Sequence, residues 1–278
     1  MPNDFNTPVI EEFRANHGRV RGWLDGARLI LVTTTGARSG RPHTVPVGYL
    51  PDGGLRVLVI ASAAGAPRHP AWYHNLLAHP VVTVEDGIFT YEAEATVLAG
   101  AERDRAFARA VEADPGWADY QARTDRALPV VALTEIPGPP RTGATTMGEG
   151  LRLIHDAFRR ELGRIRVEVA GSGPVLGAQL RINCLTVCGG LHAHHTMEDR
   201  ALFGRLGGER PDLAPVLDRL RGEHDAIAAL VARLQRVLGD SGVGRADLRA
   251  EVDRLATEVE RHLDYEEEAL IPVLDGVS

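Results

Sequence analysis

The sequence has 278 residues, 44% of them hydrophobic and 25% charged, which is typical of a globular protein long enough for two domains. Its formal net charge is −7, so nucleic acids and anionic membrane surfaces are not expected partners. No segment has the apolar length of a transmembrane span and no signal peptide is recognisable, so we expect a cytoplasmic protein.

The first predicted element is an amphipathic helix over residues 8–24, which carries Val9, Phe13 and Trp23 on its apolar side. The helix lacks the strongly basic face of a helix that lies on a membrane. We therefore interpret it as a lid on the first domain.

From residue 29 the pattern changes to short β-rich segments bounded by Gly, Pro and Asp. The predicted strands cover residues 29–34, 44–50, 55–62, 81–85, 89–98 and 130–133. Turn signals at 51–54 and at Asp86-Gly87 predict antiparallel hairpins. This organisation favours a sandwich or a barrel over a doubly wound parallel sheet, with helical insertions at 70–78 and 101–113.

A candidate site in this half is the loop of residues 33–43, TTTGARSGRPH. It offers Arg38, Ser39, Arg41 and His43 together with backbone N–H groups, and such a loop can bind a phosphate or a carboxylate. Taken alone, the pattern is at least as typical of a solvated turn. Two further blocks accompany it, and these are ASAAGAPRHPAWYHNL at 61–76 and WADYQARTDR at 117–126.

On these three blocks, residues 8–135 closely resemble the deazaflavin-dependent nitroreductase family, whose members bind coenzyme F420 on a split β-barrel. The resemblance implies that loop cations bind the phosphate and acidic tail of F420, that small residues and a tryptophan line a ring pocket, and that a tyrosine faces the substrate. The implied cofactor-binding residues are Arg38, Ser39, Arg41, His43, Ser62, Gly65, Ala66, Trp72 and Tyr120. Tyr120 is the candidate catalytic residue, as proton donor or orienter.

Two departures from the family pattern bear on the cofactor. Ala37 and Ala63 stand where the family often has basic residues, so fewer cations face an anionic tail, and FMN is retained as an alternative cofactor. For Trp72, packing in the core is the alternative to contact with the ring. A Pro/Gly-rich linker is predicted at 137–147, between a first domain at 1–136 and a second at 148–278.

Beyond the linker, four amphipathic stretches each carry a histidine on the apolar side, and two of them add a glutamate one helical turn later. These candidate metal ligands are His155, His194, Glu198, His224, His262 and Glu266. A buried carboxylate is costly unless it is paired or bound to metal. Imidazoles and carboxylates that converge in a helical bundle typically hold two iron or manganese ions. One such histidine is more often a core residue, but the repetition favours ligands.

With these residues, the stretch 148–275 resembles the hemerythrin-like, cation-binding HHE domains. The resemblance implies an up-and-down four-helix bundle with a non-haem diiron site. Oxygen-carrying hemerythrins usually have five terminal histidines, and His192 or His195 could supply the fifth. Neighbouring positions lie about 100° apart around a helix, so the ligand count stays open. Glu267 and Glu268 are typical of a solvated face.

The histidine-rich helix should point one side into the core, with Leu191, Ala201 and Leu202 on or beside that face. The two cysteines, Cys184 and Cys188, are poorly spaced for a disulfide and are expected to be small apolar core residues.

The predicted fold class is α+β, a split β-barrel followed by a four-helix bundle. The first function hypothesis is a two-domain oxidoreductase, in which reduced F420 passes a hydride to a small molecule such as a quinone, a nitro compound or an activated alkene. The diiron domain would handle O2, peroxide or NO, and could act as an oxygenase on a nitrogen- or oxygen-containing metabolite. The second hypothesis is an iron, O2 or NO sensor or binding protein with the barrel as scaffold. A homodimer is compatible with both.

Overall fold

The computed structural model divides the chain into two compact units, Met1–Gly143 and Ala144–Ser278. The structure describes residues 5–138, 141–173, 176–240 and 244–276. Pro139 and Pro140 of the predicted linker lie outside the described residues. Within the described part of the chain, no helix has both the length and the apolarity needed to cross a membrane.

The first unit contains a closed antiparallel β-barrel. Its strands are β1 Leu29–Thr35, β2 Pro42–Pro51, β3 Arg56–Ile60, β4 Val81–Glu85, β5 Phe89–Val97 and β6 Val130–Glu135. The strand order is β4-β1-β2-β3-β6-β5, and β4 also pairs with β5, so the sheet closes on itself. The predicted barrel is thereby confirmed. A further strand, β7 Arg141–Thr142, lies within the predicted linker and pairs with the start of β5.

Helices cover the barrel and carry two of the motif blocks. They are α1 Asn6–Ala15, α2 Ala71–Ala78, α3 Gly100–Ala113 and α4 Gly116–Ala122. Trp72 and Leu76 of α2 belong to a buried cluster with Ile30, Val32 and Val84 of the barrel. Because α2 is anchored in this way, its polar residues occupy fixed positions beside the loop that follows β1.

The N-terminal helix is shorter than predicted. It ends at Ala15, and His17 and Gly18 then take positive φ angles of 48° and 86°. The chain turns here because Gly18 packs against Gly87, whose Cα would lie 3.1 Å from a Cβ on Gly18. Trp23 falls in a separate 3-10 turn and is 75% exposed, so its predicted place on the apolar side of the helix is wrong.

The second unit is the predicted helical bundle. Its helices are α5 Met147–Gly171, α6 Ala178–Met197, α7 Phe203–Glu209, α8 Ala214–Gly239 and α9 Arg245–Leu274. The long helix α5 packs against α6 and α9, and α8 packs against the same two helices. Helices that follow each other in the chain are therefore neighbours in space, as in an up-and-down bundle. Cys184 and Cys188 lie in its apolar core.

A π-helical turn, Glu198–Leu202, joins α6 to α7. Such turns contain one more residue than an α-helical turn and are often found at functional sites. The extra residue shifts the buried face by one position, so Phe203 is fully buried while Ala201 is exposed and Leu202 only half-buried. The prediction that Ala201 faces the core is wrong for this reason, whereas Leu191 is buried as expected.

Candidate metal centre and anion-binding loop

Seven buried side chains of the bundle form two groups of potential metal ligands. Within each group, one ligand atom from every residue lies within 4.8 Å of the others. The first group is His155, His194, Glu198 and Glu266, and the second is His195, His224 and His262. All six predicted ligand residues are brought together. His195 joins them, whereas His192 is exposed.

The two glutamates, although members of the first group, lie between the histidines of both groups. Glu198 has Oε1 at 3.1 Å from His194 Nε2 and Oε2 at 3.6 Å from His224 Nε2. Glu266 Oε2 is 3.5 Å from Nε2 of both His155 and His262. Each carboxylate therefore reaches one histidine of each group, which is the position of a carboxylate that bridges two metal ions.

The ligand atoms themselves have no other partner. Among the described residues, the Nε2 atoms of all five histidines and both oxygens of the two glutamates are buried without a hydrogen bond. Unsatisfied buried polar atoms are costly, and a cluster of nine calls for a bound species. Imidazole nitrogen and carboxylate oxygen are suitable donors for iron, so the residues present fit a pair of such ions.

Sequence reasoning left His195 open because it lies about 100° from His194 around the helix. That angle excludes one shared ion but allows two ions side by side, and the adjacent histidines contribute to different groups. The His195 ring stacks on His224 with 4.2 Å between centroids and 9° between planes. The signal in the sequence was the pair of adjacent histidines. Both can be ligands only if the site holds two ions.

Three carboxylates that were not predicted as ligands hold the histidines from behind. Glu267 Oε1 lies 3.0 Å from His155 Nδ1, and Asp199 Oδ1 lies 3.0 Å from His224 Nδ1. The third is Glu223, whose Oε2 lies 3.0 Å from His262 Nδ1. In each pair Nδ1 donates its hydrogen, which leaves the Nε2 lone pair for a metal ion. Glu267 is thus not the solvated residue that the sequence suggested.

Burial controls the charges of this centre. It lowers the pKa of His195 to about 2 and that of His262 to about 4, so these imidazoles are neutral, the form that binds metal. Burial also raises the pKa values of Glu198 and Glu266, with neighbouring carboxylates adding to the effect. The metal-free cluster therefore disfavours the anions that a pair of cations would stabilise.

Apolar side chains surround the ligands. Phe203 is fully buried and stacks on His224 with 5.4 Å between centroids, and Phe158 lies 5.3 Å from His194 in the same measure. Leu191 and Leu217 are also buried. A low-polarity surround of this kind limits the access of water and strengthens electrostatic interactions within the centre.

The loop after β1 is closely packed at its base and exposed at its tip. Gly36 N–H donates to the carbonyl of Arg41, and Gly36 has no room for a side chain, since a Cβ there would lie 2.8 Å from His43 Nε2. Ser39 Oγ lies 3.1 Å from the same nitrogen. Buried Asn75 of α2 accepts a hydrogen bond from Ala37 N–H and donates one to Thr34 Oγ1.

Arg38 and Arg41 extend from this loop into solvent. Within the described ranges, neither guanidinium forms a hydrogen bond or an ion pair, whereas Arg14 and Arg56 elsewhere in the unit are paired with carboxylates. Two uncompensated arginines on a rigid loop are suited to binding an anionic group. The structure thus keeps the predicted loop residues together on one exposed edge.

The motif block at residues 61–76 begins with a strained turn. Residues of the block at 117–126 hold this turn in place. Ala63, Ala64 and Gly65 have consecutive positive φ angles of 47°, 52° and 81°. Arg126 donates to the carbonyls of Ala61, Ser62 and Ala66, and a Cβ on Gly65 would lie 2.8 Å from the Tyr120 carbonyl oxygen. Strained backbone of this kind is often found at functional sites. Sequence reasoning missed the structural role of Arg126.

Trp72 and Tyr120, two residues predicted to contact the cofactor ring, differ in how deeply they are buried. Trp72 is 9% exposed and packs in the barrel core, which is the alternative considered for it. Tyr120 is half-buried, with its ring 5.9 Å from Trp117 and beneath the Arg123 guanidinium at 5.6 Å.

A pocket of about 470 Å³ lies beside the first loop, lined by Thr33, Thr34, Thr35, Pro42, His79, Pro80, Val81, Val82, Thr83 and Glu92. None of the predicted ring-pocket residues lines it.

Two family models match this chain, and together they cover most of it. The model described as F420H(2)-dependent quinone reductase matches residues 8–135. The model described as hemerythrin HHE cation binding domain matches residues 146–274. Both resemblances drawn from the motifs are thereby confirmed.

Similar proteins match the first unit. An F420H(2)-dependent quinone reductase of Mycobacterium tuberculosis H37Rv is 35% identical over 126 residues, which are 44% of this chain and 84% of that protein. A solved structure named F420-H2 dependent reductase (FDR-A) is 41% identical, covers 38% of this chain and 93% of its own, and has a TM-score of 0.36. Another, described as a domain-swapped dimer, is 38% identical, covers 46% and 92%, and has a TM-score of 0.37.

Proposed function

The chain belongs to the F420H(2)-dependent quinone reductase family and adds a hemerythrin HHE cation-binding domain, and on this premise we propose that it is a two-domain oxidoreductase. In this proposal the barrel unit binds reduced F420 and a small electrophilic substrate of the quinone class. The bundle unit binds two iron ions and a small ligand such as O2, peroxide or NO.

In the barrel unit, Arg38, Arg41 and His43 would bind the anionic part of the cofactor. Support comes from Arg38 and Arg41, which have no carboxylate partner among the described residues, and from the loop that Asn75 holds in place. When bound, reduced F420 supplies a hydride. Ser62, Gly65 and Ala66 would face the ring, because they lie in and beside the strained turn of residues 63–65, and Trp72 would hold that region by packing. The main-chain carbonyl of Tyr120 lies beside this turn, and the Tyr120 hydroxyl is the candidate proton donor to a reduced substrate.

In the bundle unit, Glu198 and Glu266 would bridge the two ions. His195, His224 and His262 would hold one ion, and His155 with His194 would hold the other. When bound, the two ions supply one-electron redox chemistry and a place for a small exogenous ligand. With both glutamates shared, His155 and His194 would hold their ion with one histidine fewer than the other position, so that position would have room for the small ligand. The single observation that carries this proposal is the convergence of nine buried, unpartnered ligand atoms.

Metal analysis and turnover test the two parts separately. The full chain, purified aerobically, should contain two iron ions, and Glu198→Ala and Glu266→Ala should each lose most of them. Full iron occupancy in both variants would contradict the ligand assignment. Oxidation of reduced F420 should depend on an added quinone such as menadione. The absence of turnover with quinones, nitro compounds and activated alkenes would reject the reductase proposal.

A sensor or binding protein with a non-catalytic barrel is the second candidate. It is favoured by Ala37 and Ala63, which leave the two loops with fewer cations than an anionic cofactor tail would attract. Titration of the full chain with F420 and with FMN distinguishes the two. Tight F420 binding supports the reductase, tight FMN binding changes the cofactor, and no binding of either favours the scaffold.

A further inference from the structure

The histidines of the candidate centre differ in the groups that contact the carboxylate bound to their Nδ1 atoms. Glu267 accepts the Nδ1 hydrogen of His155, and it is also bound by Arg159 Nη1 at 2.6 Å. Glu223 accepts the Nδ1 hydrogen of His262 and is bound by Arg219 Nε at 2.9 Å. Two histidines are thus linked to an arginine through a carboxylate.

The third supporting carboxylate, Asp199, is not paired with an arginine among the described residues. Asp199 accepts the Nδ1 hydrogen of His224 at 3.0 Å. The charge of Asp199 is therefore not shared with an arginine, unlike the charges of Glu267 and Glu223. The three carboxylates differ in how much of their negative charge is already shared with a cation.

This difference has a consequence for the ligand atoms. A carboxylate that accepts the Nδ1 hydrogen fixes the tautomer and makes Nε2 a stronger donor to a metal ion. An arginine on the same carboxylate draws charge away from it and weakens this effect. An Arg–Glu–His chain is therefore a means of setting donor strength from the surface of the bundle.

We propose that Arg159 and Glu267 are a positioning pair that orients His155 and limits its donor strength, and so sets the reduction potential of the metal position with two histidines. The inference rests on the proposed diiron function. It assigns a role to residues that touch no metal ion and no substrate. Arg159 also binds Asp264 through Nη2 at 2.7 Å, so its guanidinium is held in a fixed orientation across α5 and α9.

The chain offers a matched control two helical turns further along the same helices. Arg166 of α5 pairs with Glu260 of α9 at 3.0 Å, and it also pairs with Asp253. Its side chain is 33% exposed, against 25% for Arg159. In the described structure, none of these three residues contacts a histidine of the centre. The control removes the same kinds of charge from the same pair of helices.

The test measures iron content and reduction potential of the full-length, iron-loaded protein, together with thermal unfolding of the metal-free form. Glu267→Gln removes the negative charge behind His155, so the potential should rise and iron affinity should fall by about 10-fold or more. Arg159→Met removes the closer of the two arginines that pair with Glu267, and Arg152 remains at 4.0 Å, so the potential should fall while two iron ions are retained.

The controls Arg166→Met and Glu260→Gln should shift the potential far less than their counterparts and should leave the iron content unchanged. Shifts of the same sign for Glu267→Gln and Arg159→Met would overturn the inference, and so would equal shifts in the control pair. If the wild-type chain binds two iron ions but the variants behave as wild type, only this inference fails. If the wild-type chain binds no iron, the proposed diiron function fails with it.

Discussion

His194 and His195 are adjacent in the sequence, both are buried, and they belong to different ligand groups. If both side chains are metal ligands, as proposed, they bind different ions, because neighbouring side chains on a helix diverge by about 100° and cannot converge on one ion. This relationship also gives the clearest test of the number of ions.

We expect His195→Ala to reduce the iron content from two ions towards one, because the group with His224 and His262 would lose a third of its imidazoles. His192→Ala is the control, since His192 lies on the same helix but is exposed. It should retain two ions. Metal analysis after gel filtration measures both variants, and equal iron contents would contradict the assignment of His195.

The anion-binding loop is tested by Arg38→Ala in the full chain. Binding of F420 should weaken, and its dependence on salt should decrease, because one ion pair is removed. Arg105→Ala provides the control, since Arg105 is an exposed arginine on α3. Fluorescence titrations at several salt concentrations measure both. An unchanged affinity for Arg38→Ala would mean that the anionic group binds elsewhere.

Asn75 is expected to stabilise the same loop through its two hydrogen bonds. Asn75→Leu should cost about 1–3 kcal/mol of unfolding free energy, since it leaves the partners of a buried amide unsatisfied. Asn75→Asp keeps the acceptor for Ala37 N–H, but it loses the donor to Thr34 and places a carboxylate beside the anion-binding loop, so F420 affinity should fall further than in Asn75→Leu. Chemical denaturation and F420 titration check the ranking. If both variants bind F420 as wild type does, Asn75 does not position the site.

We further expect the two units to be coupled by a diffusing substrate or product and not by direct electron transfer. A deazaflavin favours transfer of a hydride, whereas a diiron pair takes up electrons singly. Anaerobic stopped-flow mixing of reduced F420 with the oxidised protein, without substrate, is the measurement. Little change of the iron absorption bands is expected. Their rapid loss, abolished by Arg38→Ala, would demonstrate direct transfer.

The sequence was sufficient for the strands of the barrel and for the two His–Glu pairs, where the information lies within one element. Strand-like patterns and hairpin turns predicted the strands of the barrel, and the four-residue spacing from His194 to Glu198 and from His262 to Glu266 placed both pairs on buried faces. These predictions succeed because the period of a helix or a strand is a local property that a short stretch records in full.

Only the tertiary structure decided which residues meet across elements. Glu267, Asp199 and Glu223 lie 112, 25 and 39 positions from the histidines that they support. The pattern of one helix shows which side faces the core, but not which residue of the neighbouring helix lies opposite. The π-helical turn after Met197 likewise moved the buried position by one residue, from Leu202 to Phe203. Packing around the buried carboxylates fixes those registers, because each donor atom there needs a partner that another helix, or a bound ion, must supply.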